Sequence, residues 1–354
     1  MKRFVDFVKY KNLIVRILER AGYSEEDADT IASIMIQNEK MGISTHGTFH
    51  LVTYLKKFQA GSMNVHGEIE VVSEGPTWAT IDAHNNSGFL SSHRAMKLAM
   101  EKAREYGMAY VMVKNSSHYG SGAPYELMAA QEGMAAIVCS NTWKLMAVPG
   151  SKEAVIGNSP IGFAFPTEKH PPMWLDIATS AASYTKILRC AESGEDVPDG
   201  WIVDESGLPT NSTASGYSLV PFGAHKGYGW ALFVESIAAV ASGGGVLGQV
   251  GQDWIAHIDR VPNVCHAFIV IDYGKILGKG VFEARMDACI DEIHDSPKAV
   301  NATRIYVPGE IEADNFKQAE EIGIELMPVH IERLRESCRL VGLDFDAENI
   351  FLEA

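Results

Sequence analysis

The chain has 354 residues, 46% apolar and 21% charged, an ordinary globular composition spread over more length than one usual domain needs. Forty-five acidic against thirty basic side chains leave a formal net charge of −15, which repels nucleic-acid backbones and anionic membrane surfaces, so neither is expected as a partner. Five cysteines, odd in number, widely spaced and without a C-x-x-C pair, encode neither a disulfide framework nor a zinc ribbon and point to a reducing cytoplasm.

The opening MKRFVDFVKYK is broken by Asp6, Lys9 and Lys11 before an apolar run reaches signal-peptide length. Leu13, Ile14, Ile17 and Leu18 then form the stripe of a first helix, and Ser24 with Asp27 caps a second that carries Ala28, Ile31, Ala32 and Met35. A third helix is predicted from near Thr45, with Leu51, Tyr54, Leu55 and Phe58 on one side. Strands follow at Ile69 to Val72 and Trp78 to Ile81, then a long amphipathic helix through Ala95, Leu98 and Ala99 to Tyr106, then an apolar strand from Ala109 to Val113. From there to about residue 300 short strands are expected to dominate, with one clear helix after Lys226. That helix's apolar stretch, Trp230 to Ala241, contains Glu235 and is too short to span a bilayer. Helices near Asn315 to Ile322 and Val329 to Val341 close the chain, and Ser206 to Gly216 reads as a surface loop.

Between Gly157 and Lys186 the chain reads GNSPIGFAFP, a charged loop, then WLDIATSAASYTK. Ile161, Phe163 and Phe165 alternate like a strand, and Trp174, Leu175 and Ile177 lead into Ala178, Thr179 and Ser180. Small hydroxyl residues after a buried strand let backbone N–H groups approach phosphate oxygens; the plainer alternative is a hairpin followed by a Ser/Thr-rich turn. Gly243 to Gly248 matches the dinucleotide pattern G-x-G-x-x-G, but a helix precedes it where a strand is required, so a helix end and loop account for it.

Among the twelve histidines, His118 follows the strand ending at Val113 within a polar collar, Asn115, Ser116, Ser117 and Tyr119, that can fix an imidazole tautomer for proton transfer. His46 and His50 stand four apart and would share a face on a helix. Gly47 occupies the place a metallopeptidase H-E-x-x-H motif gives to its general-base Glu, and no metal set is read. Lys226 falls in the first turn of a helix, where a cation is disfavoured unless an anion lies between it and the dipole.

Together, Gly42-Ile43-Ser44-Thr45-His46-Gly47 with Tyr54, Asn115 to Gly120, Gly157 to Pro160 through Phe165-Pro166, Asp176-Ile177-Ala178-Thr179-Ser180 with Lys186, His225-Lys226-Gly227-Tyr228-Gly229 and Pro308-Gly309-Glu310 resemble the type-2 malate/L-lactate dehydrogenase family. That family also contains ureidoglycolate and sulfolactate dehydrogenases, diketogulonate reductase and cyclic imino-acid reductases. The resemblance covers almost the whole chain in one order. It implies a non-Rossmann α/β fold, with a largely antiparallel central sheet flanked by helices. It also implies homodimers, a small-molecule substrate, and NAD- or NADP-linked interconversion of a 2-hydroxy acid and its 2-oxo acid. The expected organisation is a helical substrate and dimerisation domain from residues 1–75 and 311–354, around a nucleotide-binding sheet domain of residues 76–310.

Carried over residue by residue, the resemblance makes His46 and His118 the acid/base candidates, with Thr45, His50 and Tyr54 around the substrate. Ser140, Asp176, Ile177, Ala178, Thr179, Ser180, Lys226, Gly227, Pro308, Gly309 and Glu310 become cofactor contacts. His50 stands where many members carry an arginine able to pair bidentately with a substrate carboxylate, Thr45 replaces a serine, and Met41 an arginine. The acid-recognition half is therefore altered, and a 2-oxo compound larger or differently charged than malate or lactate is expected. Two alternatives are a reductase of a cyclic imino acid and a catalytically silent nucleotide-binding homologue.

Overall fold

The structure is a computed structural model that describes residues 3–251 and 255–352. In chain order it runs through β1 (Arg3–Val5), α1 (Phe7–Arg20), α2 (Glu25–Lys40), two 3-10 turns (Ser44–His46 and Thr48–His50), α3 (Leu51–Ala60), β2 (Glu70–Gly75), β3 (Trp78–Asp82), α4 (Gly88–Tyr106), β4 (Met108–Ser116), α5 (Ala123–Gln131) and β5 (Ala135–Ser140). The middle continues through β6 (Met146–Ala147), β7 (Ala154–Ile156), β8 (Ile161–Phe165), β9 (Met173–Ile177), α6 (Tyr184–Ser193), β10 (Ile202–Asp204), β11 (Pro209–Thr210), β12 (Tyr217–Leu219) and α7 (His225–Val234), which runs into a π turn, Glu235–Val240. Last come β13 (Val264–Ile271), α8 (Tyr273–Leu277), α9 (Val281–His294), α10 (Glu310–Ile322), β14 (Ile324–Leu326) and α11 (Pro328–Leu340).

Seven strands form the central sheet in the order β2-β3-β4-β13-β5-β8-β9, with β3 and β4 parallel and every other neighbouring pair antiparallel. A second, five-stranded sheet has the order β11-β10-β12-β6-β7, and β1 pairs with β14 to tie the two ends of the chain together. The expected largely antiparallel sheet flanked by helices is what forms.

Leu13, Ile14, Ile17 and Leu18 of α1 are buried as their stripe predicts, each contributing roughly 1.5–3 kcal/mol relative to exposure. Asp27 N–H donates to Ser24 Oγ, the predicted cap of α2. The α1 stripe belongs to one buried cluster that continues through Phe89 and Met96 of α4, Val111 and Val113 of β4, and Phe268 and Val270 of β13 to Ile331 and Leu334 of α11. The terminal helices therefore share a core with the sheet that carries the site.

The middle differs from its expectation, since α5, α6, α8 and α9 are helices among the strands. In α5 the reason is burial on nearly all sides: Ala123, Pro124, Tyr125, Glu126, Leu127, Ala129 and Ala130 are all covered, so no polar face marks the helical period. Its seat on the sheet buries the small-residue face of β8, opposite the alternating Ile161, Phe163 and Phe165. Gly162 and Ala164 are the buried positions there, while Phe165 tilts against Phe282 of α9 at 5.9 Å on the other side. The glycine run ends a helix and continues into a 3-10 turn at Leu247–Gln249, as its flanks predict. Among the described residues no helix is long and apolar enough to cross a membrane, and all five cysteines are unpaired.

Candidate active site

The predicted helix across His46 and His50 is instead two 3-10 turns broken at Gly47, and α3 begins only at Leu51. The cause is Glu39, whose buried carboxylate Oε1 accepts both the backbone N–H and the hydroxyl of Thr48 at 2.9 and 2.8 Å. A Cβ on Gly47 would lie 2.5 Å from the same oxygen, so a side chain there would push the Glu39 carboxylate off Thr48. Tyr10 also hydrogen-bonds Thr48. Burial raises the Glu39 carboxyl to about 7, against the lowering effect of the two Thr48 bonds. The turns are thus pulled down onto α2, which aims both imidazoles at the strand end of β4.

There the rings meet. His46 and His118 stack with centroids 5.6 Å apart, and His50 stands edge-on to His118 at 6.1 Å. Thr45 Oγ1 lies 3.0 Å from His46 Nδ1, and Tyr54, reaching across from α3, hydrogen-bonds His118 Nδ1 at 2.6 Å. Asn38 Nδ2 donates to the His46 carbonyl at 3.2 Å and receives Ser121 Oγ on its own oxygen at 2.5 Å, which couples the turn to the loop after β4. The backbone N–H of Gly120 also points at His118 Nδ1, 3.4 Å away. An N–H can only donate, so Nδ1 accepts and the single proton of a neutral His118 sits on Nε2.

Desolvation holds His46 down at about 4 and His50 at about 3, the latter helped by His46, Arg333 and His330, and it pushes His118 well below its ordinary value. His46 and His118 each keep an edge open to solvent although protein surrounds the rings. Near neutral pH all three are neutral, able to accept a proton.

The second group assembles at the end of β9. Gly122, four residues after His118, donates its N–H to Asp176 Oδ2 at 2.7 Å, joining the imidazole cluster to the bend that holds Asp176, Ile177, Ala178, Thr179 and Ser180. Thr179 donates its N–H to the Asn158 carbonyl at 3.1 Å and accepts Phe222 N–H on its own carbonyl at 3.0 Å, while Ser180 bridges to Pro221. The bend is thereby clasped between the Gly157 to Pro160 segment and the entry to α7. Gly227 is buried in that clasp: a Cβ there would meet the Phe222 oxygen at 2.5 Å and the Thr179 oxygen at 2.7 Å. Lys226 lies in the first turn of α7, exposed. Two hydroxyls at this bend, Ser159 Oγ and Thr179 Oγ1, are buried with no hydrogen-bond partner among the described residues.

The remaining predicted contacts sit beside these two groups. Ser140 Oγ is 2.9 Å from His266 Nδ1, and the other nitrogen of that ring is 2.9 Å from Ser116 Oγ. The Pro308 carbonyl accepts Trp174 N–H at 3.3 Å, two residues before Asp176, and Gly309 packs on the Trp174 ring. Glu310 starts α10 and binds His294 at 3.1 Å, Arg304 at 3.2 Å and the Val307 N–H at 3.1 Å, so its carboxylate holds this turn shut.

Several residues of the site escaped the sequence reading. His266 is buried mid-strand, held by burial at about 3 and stacked under Tyr119 at 4.6 Å; its one polar side chain inside VCHAFIVI was the available signal. Glu126 is fully buried beneath Asp176, both oxygens unpartnered among the described residues, and burial together with Asp176's charge raises its carboxyl well above the usual range. Its placement in an apolar helix could have flagged it. His330 and Arg333 of α11 reach the site from the far end of the chain, and no local pattern marks them.

A small-residue bend at strand ends, joined through one loop to a nest of neutral imidazoles, has the parts to hold a small ligand and to accept a proton from it. The comparisons narrow this reading. The family model for malate/L-lactate dehydrogenase matches residues 5–335, and the chain belongs to that family. It is 35% identical to a malate dehydrogenase of Pyrococcus abyssi, covering 94% of this chain and 93% of that protein. It is 32% identical to the L-sulfolactate dehydrogenase of Methanocaldococcus jannaschii, covering 95% and 96%. Among solved structures, the sulfolactate dehydrogenase from M. jannaschii superposes with a TM-score of 0.90 at 31% identity, over 98% of this chain and 99% of that one. The protein is an oxidoreductase of the hydroxy-acid dehydrogenase kind.

Proposed function

We propose that the protein interconverts a 2-hydroxy acid and its 2-oxo acid with NAD or NADP, using His46 as acid/base and His118 to hold the substrate oxygen. The observation that carries the roles is the pair of donors on His118 Nδ1, which puts that ring's proton on Nε2. In the oxidative direction the neutral His46 takes the hydroxyl proton as the carbonyl forms, and His118 donates a hydrogen bond to the same oxygen throughout. In the reductive direction His46 must first carry a proton, and an anionic substrate beside it raises its pKa toward that state.

The bend fits a dinucleotide. Ser159 and Thr179 hydroxyls that have no partner among the described residues, and an exposed cation at a helix start, suit phosphate and ribose oxygens. Asp176 to Ser180, Lys226 and Gly227 would hold the coenzyme, with Ser140 and the Pro308 to Glu310 turn behind them. A bound nicotinamide supplies or accepts the hydride; the chain's residues orient the acid and manage its proton.

Residues 1–75 with 311–354 serve as the substrate side, completed by His118, and the rest of residues 76–310 as the nucleotide side, a division supported by the pairing of β1 with β14 across the termini. A homodimer is supported by the exposed apolar strip Trp230, Leu232, Phe233 and Val240. A reducing cytoplasm is supported by unpaired Cys190 and Cys289, neither of them buried. The test is steady-state oxidation of NADH and NADPH against a panel of 2-oxo acids and cyclic imino acids. Turnover of a 2-oxo acid is expected; reduction of cyclic imino acids alone, or of nothing, overturns the reading.

A further inference from the structure

We propose that Glu126 of α5 is a positioning residue for the coenzyme bend: it keeps a proton beside Asp176, holds the pair at a single negative charge, and loosens the bend's grip when alkaline pH removes that proton. The coenzyme part rests on the dinucleotide reading above; the retained proton does not.

Helix α5 lies on the face of the sheet where β8 shows Gly162 and Ala164. Gly162 stands opposite Asp176 in the antiparallel ladder of β8 and β9, so the side-chain space above Gly162 is the cross-strand neighbour of the Asp176 side chain. Glu126 fills that space, because a Cβ on Gly162 would collide with Glu126 Oε1. A Cβ on Gly122 would lie 2.7 Å from the same oxygen and 3.5 Å from Asp176 Oδ1. Glycines at both positions thus make room for a carboxyl group next to Asp176.

The two carboxyl groups are provided for unequally. Asp176 sits at the N-terminus of α5, where its Oδ2 accepts the Gly122 N–H at 2.7 Å; burial raises its carboxyl, and the backbone N–H groups of Gly122 and Ala123 oppose that rise. Glu126 is fully buried, and neither of its oxygens has a hydrogen-bond partner among the described residues. Burial first, then the charge of Asp176, raises its carboxyl well above the usual range. No other charge among the described residues acts on it. Ala136 and Val138 of β5 and Ala164 of β8 are apolar, and α2 and α4 pack on α5 without adding a charge that Glu126 feels. The phenol of Tyr119, also buried and unpartnered among the described residues, is kept un-ionised by burial and then by the charges of Asp176, Cys139 and Glu126. With donors on one carboxyl and none on the other, Asp176 carries the charge and Glu126 the proton.

Ionising Glu126 puts a second negative charge beside Asp176, directly before the Ile177 to Ser180 segment proposed to meet the coenzyme phosphates. A glutamate that is protonated in the fold and ionised in the unfolded chain contributes stability below its ordinary value, and that stability is lost as pH rises toward the folded value.

The experiment compares wild type with Glu126→Gln, which keeps the shape and a donor but cannot ionise, and with Glu126→Leu, which keeps the volume alone. From about pH 6 to about pH 9 the melting temperature of wild type is expected to fall by about 2 °C per pH unit relative to either variant. Reduced coenzyme, which tolerates alkali, is titrated by its fluorescence. It should bind wild type and E126Q within about threefold of each other at about pH 7, and wild type about tenfold or more weakly than E126Q at about pH 10. The inference is overturned if wild type melts in parallel with both variants, which means a glutamate already ionised, or if coenzyme affinity follows the same pH dependence in wild type and E126Q. It is also overturned if sodium, potassium, magnesium or calcium ions cancel the alkaline loss, since a cation rather than a proton would then lie between the carboxyl groups. Should reduced coenzyme bind at no pH while the melting difference stands, the retained proton is upheld and the dinucleotide reading fails.

Discussion

The two halves of the site are built from different materials. The nucleotide side, Asp176 to Ser180 with Pro221 to Gly227, is made of backbone and small side chains, its geometry set by bonds such as Thr179 N–H to Asn158 O and Phe222 N–H to Thr179 O. The acid side draws buried or half-buried side chains from four separate segments, His46 and His50 from the turns, Tyr54 from α3, His118 from the end of β4, and His330 and Arg333 from α11. Backbone geometry tolerates substitution of most neighbours and is intolerant of an added Cβ. Buried imidazoles depend on every group that sets their protonation. In the proposed function the first half grips the cofactor and the second selects the substrate.

The sharpest way to break this contrast is on the acid side. Replacing His46 or His118 by Asn should lower kcat about 100-fold or more while coenzyme affinity stays within about threefold, as fluorescence titration and steady-state kinetics would show. Full turnover in both variants would contradict their roles. On the nucleotide side, Gly227→Val forces a side chain against Phe222 and Thr179 carbonyls and should weaken coenzyme binding by about 10- to 100-fold, with kcat at saturation less affected. Lys226→Ala should weaken it by about tenfold or less, the effect shrinking as salt is raised, because that lysine is exposed.

Removing the phenol in Tyr54→Phe takes away one of two donors to His118 Nδ1 and should cost about fivefold in kcat. The smallest effect is read from pH. His46 is held at about 4, so its basic form persists below the ordinary histidine range and is lost only as pH falls toward that value. The kcat/KM for hydroxy-acid oxidation should therefore stay level from pH 7 to near 5 and decline below it; a limb centred on the ordinary histidine value of about 6.5 would place the base elsewhere.

How much of this was legible follows the same division. The bend after β9, the strand end before His118 and the helix start at Lys226 are local patterns, and the chain shows them in order. The glycine run could be set aside because a helix stands in front of it. What stayed hidden needed contacts between distant segments. The break at Gly47 depends on Glu39 folding back from α2, and a periodic pattern through Thr45 to Phe58 conceals it. Helix α5 escaped because burial all round erases amphipathic contrast. Arg333 lies 283 positions after His50 in the chain, and only the packing of α11 on the turn brings the two together.

The most direct measurement is a crystal structure of the full chain with reduced coenzyme and a non-reacting 2-hydroxy-acid analogue. The account predicts the phosphates over Thr179, Ser180 and Lys226, and the nicotinamide ring facing an analogue whose oxygen lies between His46 and His118. Coenzyme bound at the glycine run Gly243 to Gly248, or an analogue seated away from both imidazoles, would contradict it.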